Sequence, residues 1–385
     1  MTFSDQLLNR ATAGLVAVII GFSSSIALIY QVVITLGGTP DLVASWLLML
    51  GLVMGITTIG LSYYYKVPVL IAWSTTGAAL LISSAQGYHL GEAIGAFMFA
   101  ATLVFVSGVT GWFEKIMNRI PSELACAMLA GVLVNFGIDV FNFMNELPLV
   151  IGLMVLMYFL GKRFFARFAM LSVLVAGVLL EWQMGHIDTG AIHWKISEFA
   201  YIAPVFNLQA CISIGLPLYI VTMTSQNLPG IAVLKAHNYK APISATLNVT
   251  GFINILTAPF GTYSINLAAI TAAICMSDEA DKSPDKRYWA SIAAGVFYIV
   301  MALCAATLVG LVASLPQALI LALAGIALFG TIANSLQQAL SSAQYTEAAI
   351  VTFLVTASDL TMLSMGSAFW GIIAGVCTLM ITRKS

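Results

Sequence analysis

Residues Thr257–Cys275 read TAPFGTYSINLAAITAAIC, a run that changes character halfway along. Pro259 and Gly261 interrupt a helical pattern, and the Thr-Tyr pair that follows favours extended backbone. The later residues suit an apolar helix, and the change falls at Ser264–Asn266, residue types that are common at helix N-caps. We therefore expect a broken transmembrane segment, with an extended half at Pro259–Tyr263 and a helical half that begins at Ser264–Asn266.

The first half of the chain contains a counterpart, Lys66–Leu81, which reads KVPVLIAWSTTGAALL. Pro68 opens it, and the largely β-branched run Val67–Ile71 predicts extended backbone to about Ala72. Ser74–Thr76 occupy the cap positions before an apolar helix. Broken segments at corresponding places in two halves are typical of the binding site of a transporter.

The composition excludes a soluble protein. Of 385 residues, 60% are hydrophobic and only 8% are charged, whereas a soluble domain has about 25% charged residues. The lipid bilayer is therefore a predicted partner, and the net charge of −1 with no basic tail argues against nucleic acid. The five cysteines lie singly in apolar runs, so we expect no metal or other cofactor. No ATP-binding loop and no nucleophile–base pair is visible, which argues against a pump and against an enzyme.

Fourteen apolar runs are separated by charges and by clusters of Gly, Pro and Asn. They cover 12–36, 42–63, 67–86, 90–112, 122–139, 147–162, 168–183, 208–231, 241–256, 258–277, 288–313, 316–333, 343–358 and 365–382. With the N-terminus inside, alternating loops place all of the 15 Lys and Arg except Lys195 on the cytoplasmic side. This bias follows the positive-inside rule, so we predict a multi-pass protein of the inner (plasma) membrane with both termini cytoplasmic.

The two halves of the chain resemble each other. Pro68 and Pro259 open the broken segments, and Pro121 and Pro316 precede the related runs SELACAMLAGVL and QALILALAGIAL. A repeat of seven spans is odd, so its second copy enters the membrane inverted. We predict an all-α integral membrane protein with 14 transmembrane segments in a 7+7 inverted repeat, and short antiparallel β-strands in broken segments 3 and 10.

This topology brings two predicted helix starts together at the bilayer centre. Each helix N-terminus has roughly half a positive charge and unpaired N–H groups, so the pair suits an anion without Lys or Arg. We expect the carboxylate of a substrate to lie between these starts. The candidate residues there are Ser74, Thr75 and Thr76 in segment 3, and Gly261, Ser264 and Asn266 in segment 10.

Segment 8 contributes a polar cluster inside an apolar helix: Thr224, Ser225, Gln226 and Asn227. Buried polar groups are costly in lipid unless they are paired. Hydrogen bonding between helices explains Thr222, whereas a binding role is favoured for Gln226 and Asn227. For the serines at 23–25 in segment 1, bonding to their own helix is favoured.

Three aromatic residues lie at the broken points: Trp73 before the first cap, and Phe260 and Tyr263 before the second. An aromatic residue on an apolar span usually faces lipid or the core. Because these three flank the candidate site, we predict that they line the ring of an aromatic substrate.

The motifs resemble those of the benzoate:proton symporter (BenE) family. The match rests on VPVLIAWSTTGAALL at 67–81, VTMTSQNLPGIAVLKA at 221–236, PFGTYSINLAAITAAIC at 259–275 and GSAFWGIIAG at 366–375. The resemblance implies the uracil-transporter fold, with a core domain at 1–120 and 208–314, a gate domain at 121–183 and 315–385, and an external connector at 184–207. It also implies proton-coupled uptake of benzoate or a similar aromatic carboxylate by alternating access.

One departure from the related uracil transporters concerns two positions where that branch has glutamates. Gln226 and Ile265 stand there in this chain. Their neutral side chains fit an anionic substrate, which a carboxylate would repel, but the path of the proton is then unassigned. A nucleobase or heterocycle:proton symporter and an anion channel of the same fold are the alternatives, and a homo-oligomeric assembly is left open.

Overall fold

The computed structural model describes residues 3–111, 121–164, 168–185, 197–240, 242–278, 280–358, 360, 362 and 367–382. Most of these residues are helical. The first half contains α1 (Phe3–Thr35), α2 (Pro40–Tyr65), β1 (Ile71–Trp73), α3 (Thr75–Ser84), α4 (Leu90–Thr110), α5 (Ser122–Asn142), α6 (Pro148–Phe164) and α7 (Ala169–Gln183). Part of the predicted connector at 184–207 lies outside the described residues.

The second half begins with α8, a helix made of five consecutive pieces. They are Leu208–Ala210, a π-helical turn at Cys211–Gly215, Leu216–Thr222, a second π-helical turn at Met223–Asn227, and Leu228–Ala236. The remaining elements are α9 (Ile243–Thr257), β2 (Ile265–Leu267), α10 (Ile270–Cys275), α11 (Tyr288–Leu303), α12 (Ala305–Ala313), α13 (Gln317–Ala339), α14 (Thr346–Ala357) and α15 (Ser367–Thr382).

Seven helices among the described residues are long and apolar enough to cross a bilayer. They include α1, α2, α4 and α13, and a further four apolar helices are shorter, among them α3 and α7. The protein is therefore a mostly helical, multi-pass membrane protein. The predicted span at 288–313 is divided in the structure, because α11 ends at Leu303 and α12 begins at Ala305.

Small residues allow the helices to pack closely. On α2, Gly55 lies so near α11 that an added Cβ would be 2.6 Å from the Gly295 carbonyl oxygen, and one at Gly51 would be 2.7 Å from the Ala302 side chain. Close approach at small residues is how helices associate in lipid. The most extensive helix contacts join α11 with α1 and α2, α4 with α9, α6 with α7, α5 with α13 and α14, and α14 with α15.

The two broken segments meet in a two-stranded antiparallel sheet. Ile71 faces Leu267, Ala72 faces Asn266, and Trp73 faces Ile265 across β1 and β2. Backbone bonds extend the pairing at both ends, from Ser74 N to Ser264 O at 3.1 Å and from Ala268 N to Leu70 O at 2.9 Å. The sheet thus satisfies backbone groups that would be costly to leave unpaired at membrane depth.

The predicted start of the second helix is wrong. Ser264 precedes β2 and Asn266 lies within it, and α10 begins only at Ile270, after Ala269, with no side-chain cap. The physical reason is the pairing with β1, which takes up the backbone groups that a helix would have used. The helix α10 therefore begins beyond the sheet, at the opposite end from α3, and not at the predicted cap residues.

The expected extended backbone at Pro259–Tyr263 also differs from the structure. Ala258–Phe260 form a helical turn, which Gly261 ends in the left-handed conformation at φ +98°. Gly261 is also packed against the Trp46 ring, where an added side chain would overlap the indole. Glycine is required here for conformation and for space, which gives Gly261 a structural role, and its contact with substrate stays a prediction.

Candidate functional site

The first broken segment turns into α3 with the cap that the sequence predicts. The Ser74 hydroxyl accepts a hydrogen bond from Gly77 N at 2.9 Å. Thr76 Oγ1 lies 3.3 Å from the Ser74 hydroxyl, and Thr75 Oγ1 lies 2.9 Å from the Ser25 hydroxyl on α1. Ser74 and Thr76 are buried and Thr75 is half-buried, so the start of α3 offers one polar side chain at an accessible face.

The second broken segment uses its polar groups largely within the protein. Tyr263 donates from its hydroxyl to Ser74 O at 3.0 Å, and Ser264 Oγ lies 3.0 Å from Thr222 Oγ1 on α8. Asn266 donates weakly to Ser264 Oγ at 3.4 Å. The Asn266 amide oxygen is fully buried and has no hydrogen-bond partner among the described residues. Asn266 therefore retains one polar atom that could bind a ligand.

The second π-helical turn of α8 connects the two broken segments. Gln226 Nε2 donates to Thr76 Oγ1 on α3 at 3.0 Å, whereas the neighbouring Asn227 Oδ1 accepts from Leu267 N on β2 at 3.1 Å. A π-helical turn inserts an extra residue into a helix and is frequent at functional sites. Here it lets two adjacent amides reach different segments.

Side chains from the flanking helices also satisfy the outer edges of the sheet. On β1, Ile71 N donates to Thr58 Oγ1 at 3.0 Å, and Ser62 on α2 donates to Val69 O at 2.7 Å. On β2, the Asn254 side chain of α9 bonds both backbone groups of Ile265. An unpaired strand edge in a membrane would be costly. Side chains of these helices therefore make hydrogen bonds that further strands would otherwise make.

The aromatic residues do not form the single wall that we expected. Trp73 packs edge-to-face on Phe22 of α1, with ring centroids 4.7 Å apart. Phe260 instead packs against Tyr201 and Phe199, at 5.6 and 6.4 Å. Tyr263 is fully buried beside Phe97. Trp73, which directly precedes the cap residue Ser74, is thus paired with Phe22.

Burial divides the predicted site residues into two groups. Half-buried polar side chains are Thr75, Thr224, Ser225 and Gln226, and buried ones are Ser74, Thr76, Asn227, Tyr263, Ser264 and Asn266. Thr224 donates back to Ile220 O at 2.8 Å within its own helix. The prediction missed Phe22 and Asn254, since neither lies in a recognisable motif, and it underrated Ser25. Ser25 lies in predicted segment 1, which corresponds to the polar segment 8 in the predicted repeat.

A cavity of about 940 Å³ opens at the other end of α3. Its lining includes Ser84 and Gln86 at the end of α3, Asn135 and Asp139 of α5, and Asn207 before α8. It therefore lies between α5 and the adjoining ends of α3 and α8. In the predicted topology, this end of α3 faces the outside.

Charged side chains gather at the opposite, predicted cytoplasmic end. Arg10 on α1 forms a buried ion pair with Asp281, at 2.6 Å, in the segment that follows α10. Arg287 donates to Asp281 O and to Met276 O, both at 2.7 Å, and pairs with Asp278. The end of the second broken segment is thus anchored by charge. In the part of the chain that the structure describes, no group of His, Cys, Asp and Glu could hold a metal.

The fold resembles that of solved membrane transporters. A cyanobacterial bicarbonate transporter, BicA, has a transmembrane domain that resembles this chain with a TM-score of 0.66, at 15% identity over 98% of both chains. The murine anion transporter Slc26a9 in its inward-facing state gives a TM-score of 0.56, at 14% identity over 96% of this chain and 68% of its own.

Residues 4–381 match the BenE family, described as benzoate membrane transport protein, and the chain belongs to that family. It is 35% identical to the benzoate membrane transport protein of Acinetobacter baylyi, over 99% of this chain and 96% of that protein. It is also 44% identical to the inner membrane protein YdcO of Escherichia coli, over 96% and 95% of the two chains. The predicted family is confirmed.

Proposed function

We propose that this protein is a secondary transporter that takes up benzoate, or a similar aromatic carboxylate, together with a proton. The family and the named function of the Acinetobacter relative support the substrate. The main structural support for this site is the second π-helical turn of α8, from which Gln226 donates a hydrogen bond to the start of α3. The substrate carboxylate binds beside Gln226 and Thr75, and its ring packs near Trp73.

Hydrogen bonding and the α3 dipole supply the recognition. Gln226 already has a donor group directed at Thr76, and a carboxylate can take the place of that hydroxyl or share the donor. The N-terminus of α3 adds partial positive charge, worth about 0.3–1 kcal/mol in exposed sites. The unpartnered amide oxygen of Asn266 is a hydrogen-bond acceptor, so it can bind a protonated carboxyl group but does not hold the carboxylate itself. A neutral site of this kind binds an anion without a counter-charge that would trap it.

Alternating access follows from two domains that move relative to each other. We assign residues 1–120 and 208–314 to the core and residues 121–183 and 315–385 to the gate, joined outside by 184–207. The packing of α5 with α13, and of α2 with α11, is consistent with this division. Fourteen spans in a 7+7 inverted repeat, an inner-membrane location and two cytoplasmic termini complete the proposal.

Uptake of labelled benzoate into proteoliposomes under an inward proton gradient tests the function. Benzoic acid crosses lipid unaided, so the readout is uptake above protein-free vesicles and its loss when a protonophore is added. Uptake equal to that of the empty vesicles would contradict the proposal. Flux that ignores the proton gradient would favour an anion channel, and competition by uracil or xanthine would favour a nucleobase carrier.

A further inference from the structure

Asn254 of α9 pairs with one residue of β2 as a neighbouring strand would. The side chain is buried, its Nδ2 donates to Ile265 O at 3.3 Å, and its Oδ1 accepts from Ile265 N at 3.2 Å. In an antiparallel sheet, a residue that faces a hydrogen-bonded partner exchanges both of these bonds with it. A single amide thus replaces a strand residue at this edge.

Ile265 lies next to two residues of the proposed binding site. It faces Trp73 across the two strands, and it precedes Asn266, which has the unpartnered buried amide oxygen. The other edge of the sheet has an equivalent device, since Thr58 on α2 accepts a hydrogen bond from Ile71 N. A displacement of Ile265 would therefore move both the aromatic residue and the free polar atom next to the site.

We propose that Asn254 is a positioning residue for substrate: by holding both backbone groups of Ile265 it places Trp73 and Asn266 for binding. The proposal rests on the proposed function and deepens it. Asn254 need not touch the substrate, because both ends of its amide are already bonded. Removal of these bonds leaves two buried backbone groups unpaired, and β2 must shift to satisfy them.

Saturation binding of labelled benzoate to the purified, detergent-solubilised full chain tests this role, because it separates affinity from the number of binding-competent molecules. Asn254→Leu, similar in volume but unable to hydrogen-bond, should raise Kd by about tenfold with the site number per folded protein unchanged. Asn254→Ser keeps a neutral but shorter polar side chain and should give a smaller rise. The matched control is Asn248→Leu on the same helix, where the amide lies against Gly108 of α4 rather than the sheet, and Kd should stay within about twofold.

The outcomes are distinct. If Asn254→Leu does not fold, the neutral Asn254→Ser decides: a raised Kd supports the role, and a wild-type Kd overturns it. A loss of binding sites at unchanged Kd in both variants means that Asn254 is only structural, which also overturns the proposal. If the wild-type protein itself binds no benzoate, the proposed function has failed instead.

Discussion

The two broken segments form one small sheet, yet they continue in different ways. The first leads into α3, which has ten residues, a Ser74 side-chain cap and the half-buried Thr75. The second leads into α10, which has six residues and no side-chain cap. Two segments with similar sequence patterns thus differ: the second is mainly held in place by its neighbours, and we propose that the first presents polar groups to a ligand.

The largest loss of stability is expected at the charged end of the second broken segment. Asp281→Ala removes the carboxylate that pairs with Arg10 and leaves a buried guanidinium without its partner. The loss of one member of a buried ion pair costs about 3–5 kcal/mol. We expect the largest loss of stability among these variants, measured as the melting temperature in detergent. An unchanged melting temperature would mean that the ion pair does not anchor α10.

A smaller loss of stability is expected where α8 holds β2. Asn227→Leu removes the acceptor for Leu267 N and leaves that buried N–H unpaired, at a cost of about 1–3 kcal/mol. Chemical unfolding followed by the loss of helical circular dichroism measures the change. Gln226→Leu, the same substitution type one residue earlier, is the control and should unfold close to wild type. Equal losses of stability in Asn227→Leu and Gln226→Leu would mean that α8 does not hold β2 more firmly than it holds the start of α3.

Gln226→Ala tests whether the ligand binds between α8 and the first broken segment. It removes a donor directed at the start of α3 while leaving β2 bonded. We expect benzoate affinity to fall by about tenfold, the worth of one hydrogen bond to a charged group, with little change in stability. Isothermal titration calorimetry gives the affinity. Wild-type affinity in this variant would show that the carboxylate does not bind beside Gln226 of α8.

Ser74→Ala has the smallest expected effect. The variant loses the side-chain cap of α3, and caps of this type contribute about 1 kcal/mol. The α3 dipole is retained, so benzoate affinity should change little. Thermal unfolding and benzoate binding, measured on the same preparation, check both statements. A loss of affinity larger than the loss of stability would show that Ser74 contacts the ligand.

Local chemistry explains what could be predicted from the sequence. Pro68, Pro259 and Gly261 mark the broken segments, and Ser74 is a cap because its hydroxyl needs only the N–H three residues on. The start of α10 could not be predicted in this way. Ser264–Asn266 suit a helix cap and a strand equally, and the choice depends on β1, which lies about 190 residues away in the chain.

The same reason explains why the partners of the candidate site residues could not be predicted. Phe260 lies beside Tyr201 because of the path of the segment before α8, which no local pattern reports. Asn227 looked like a ligand-binding residue from its position next to Gln226, and only the packing of β2 gives it a different partner. The sequence indicates which side chains are polar or aromatic, but not the direction in which each side chain points.

A structure of the protein with benzoate bound tests the central claim most directly. The account predicts a carboxylate oxygen within about 3.2 Å of Gln226 Nε2, beside Thr75 at the start of α3, with the ring near Trp73. β2 should keep its bonds to Asn227 and Asn254. A carboxylate bound at the start of α10, near Ile270, with Gln226 still bonded to Thr76, would contradict the account.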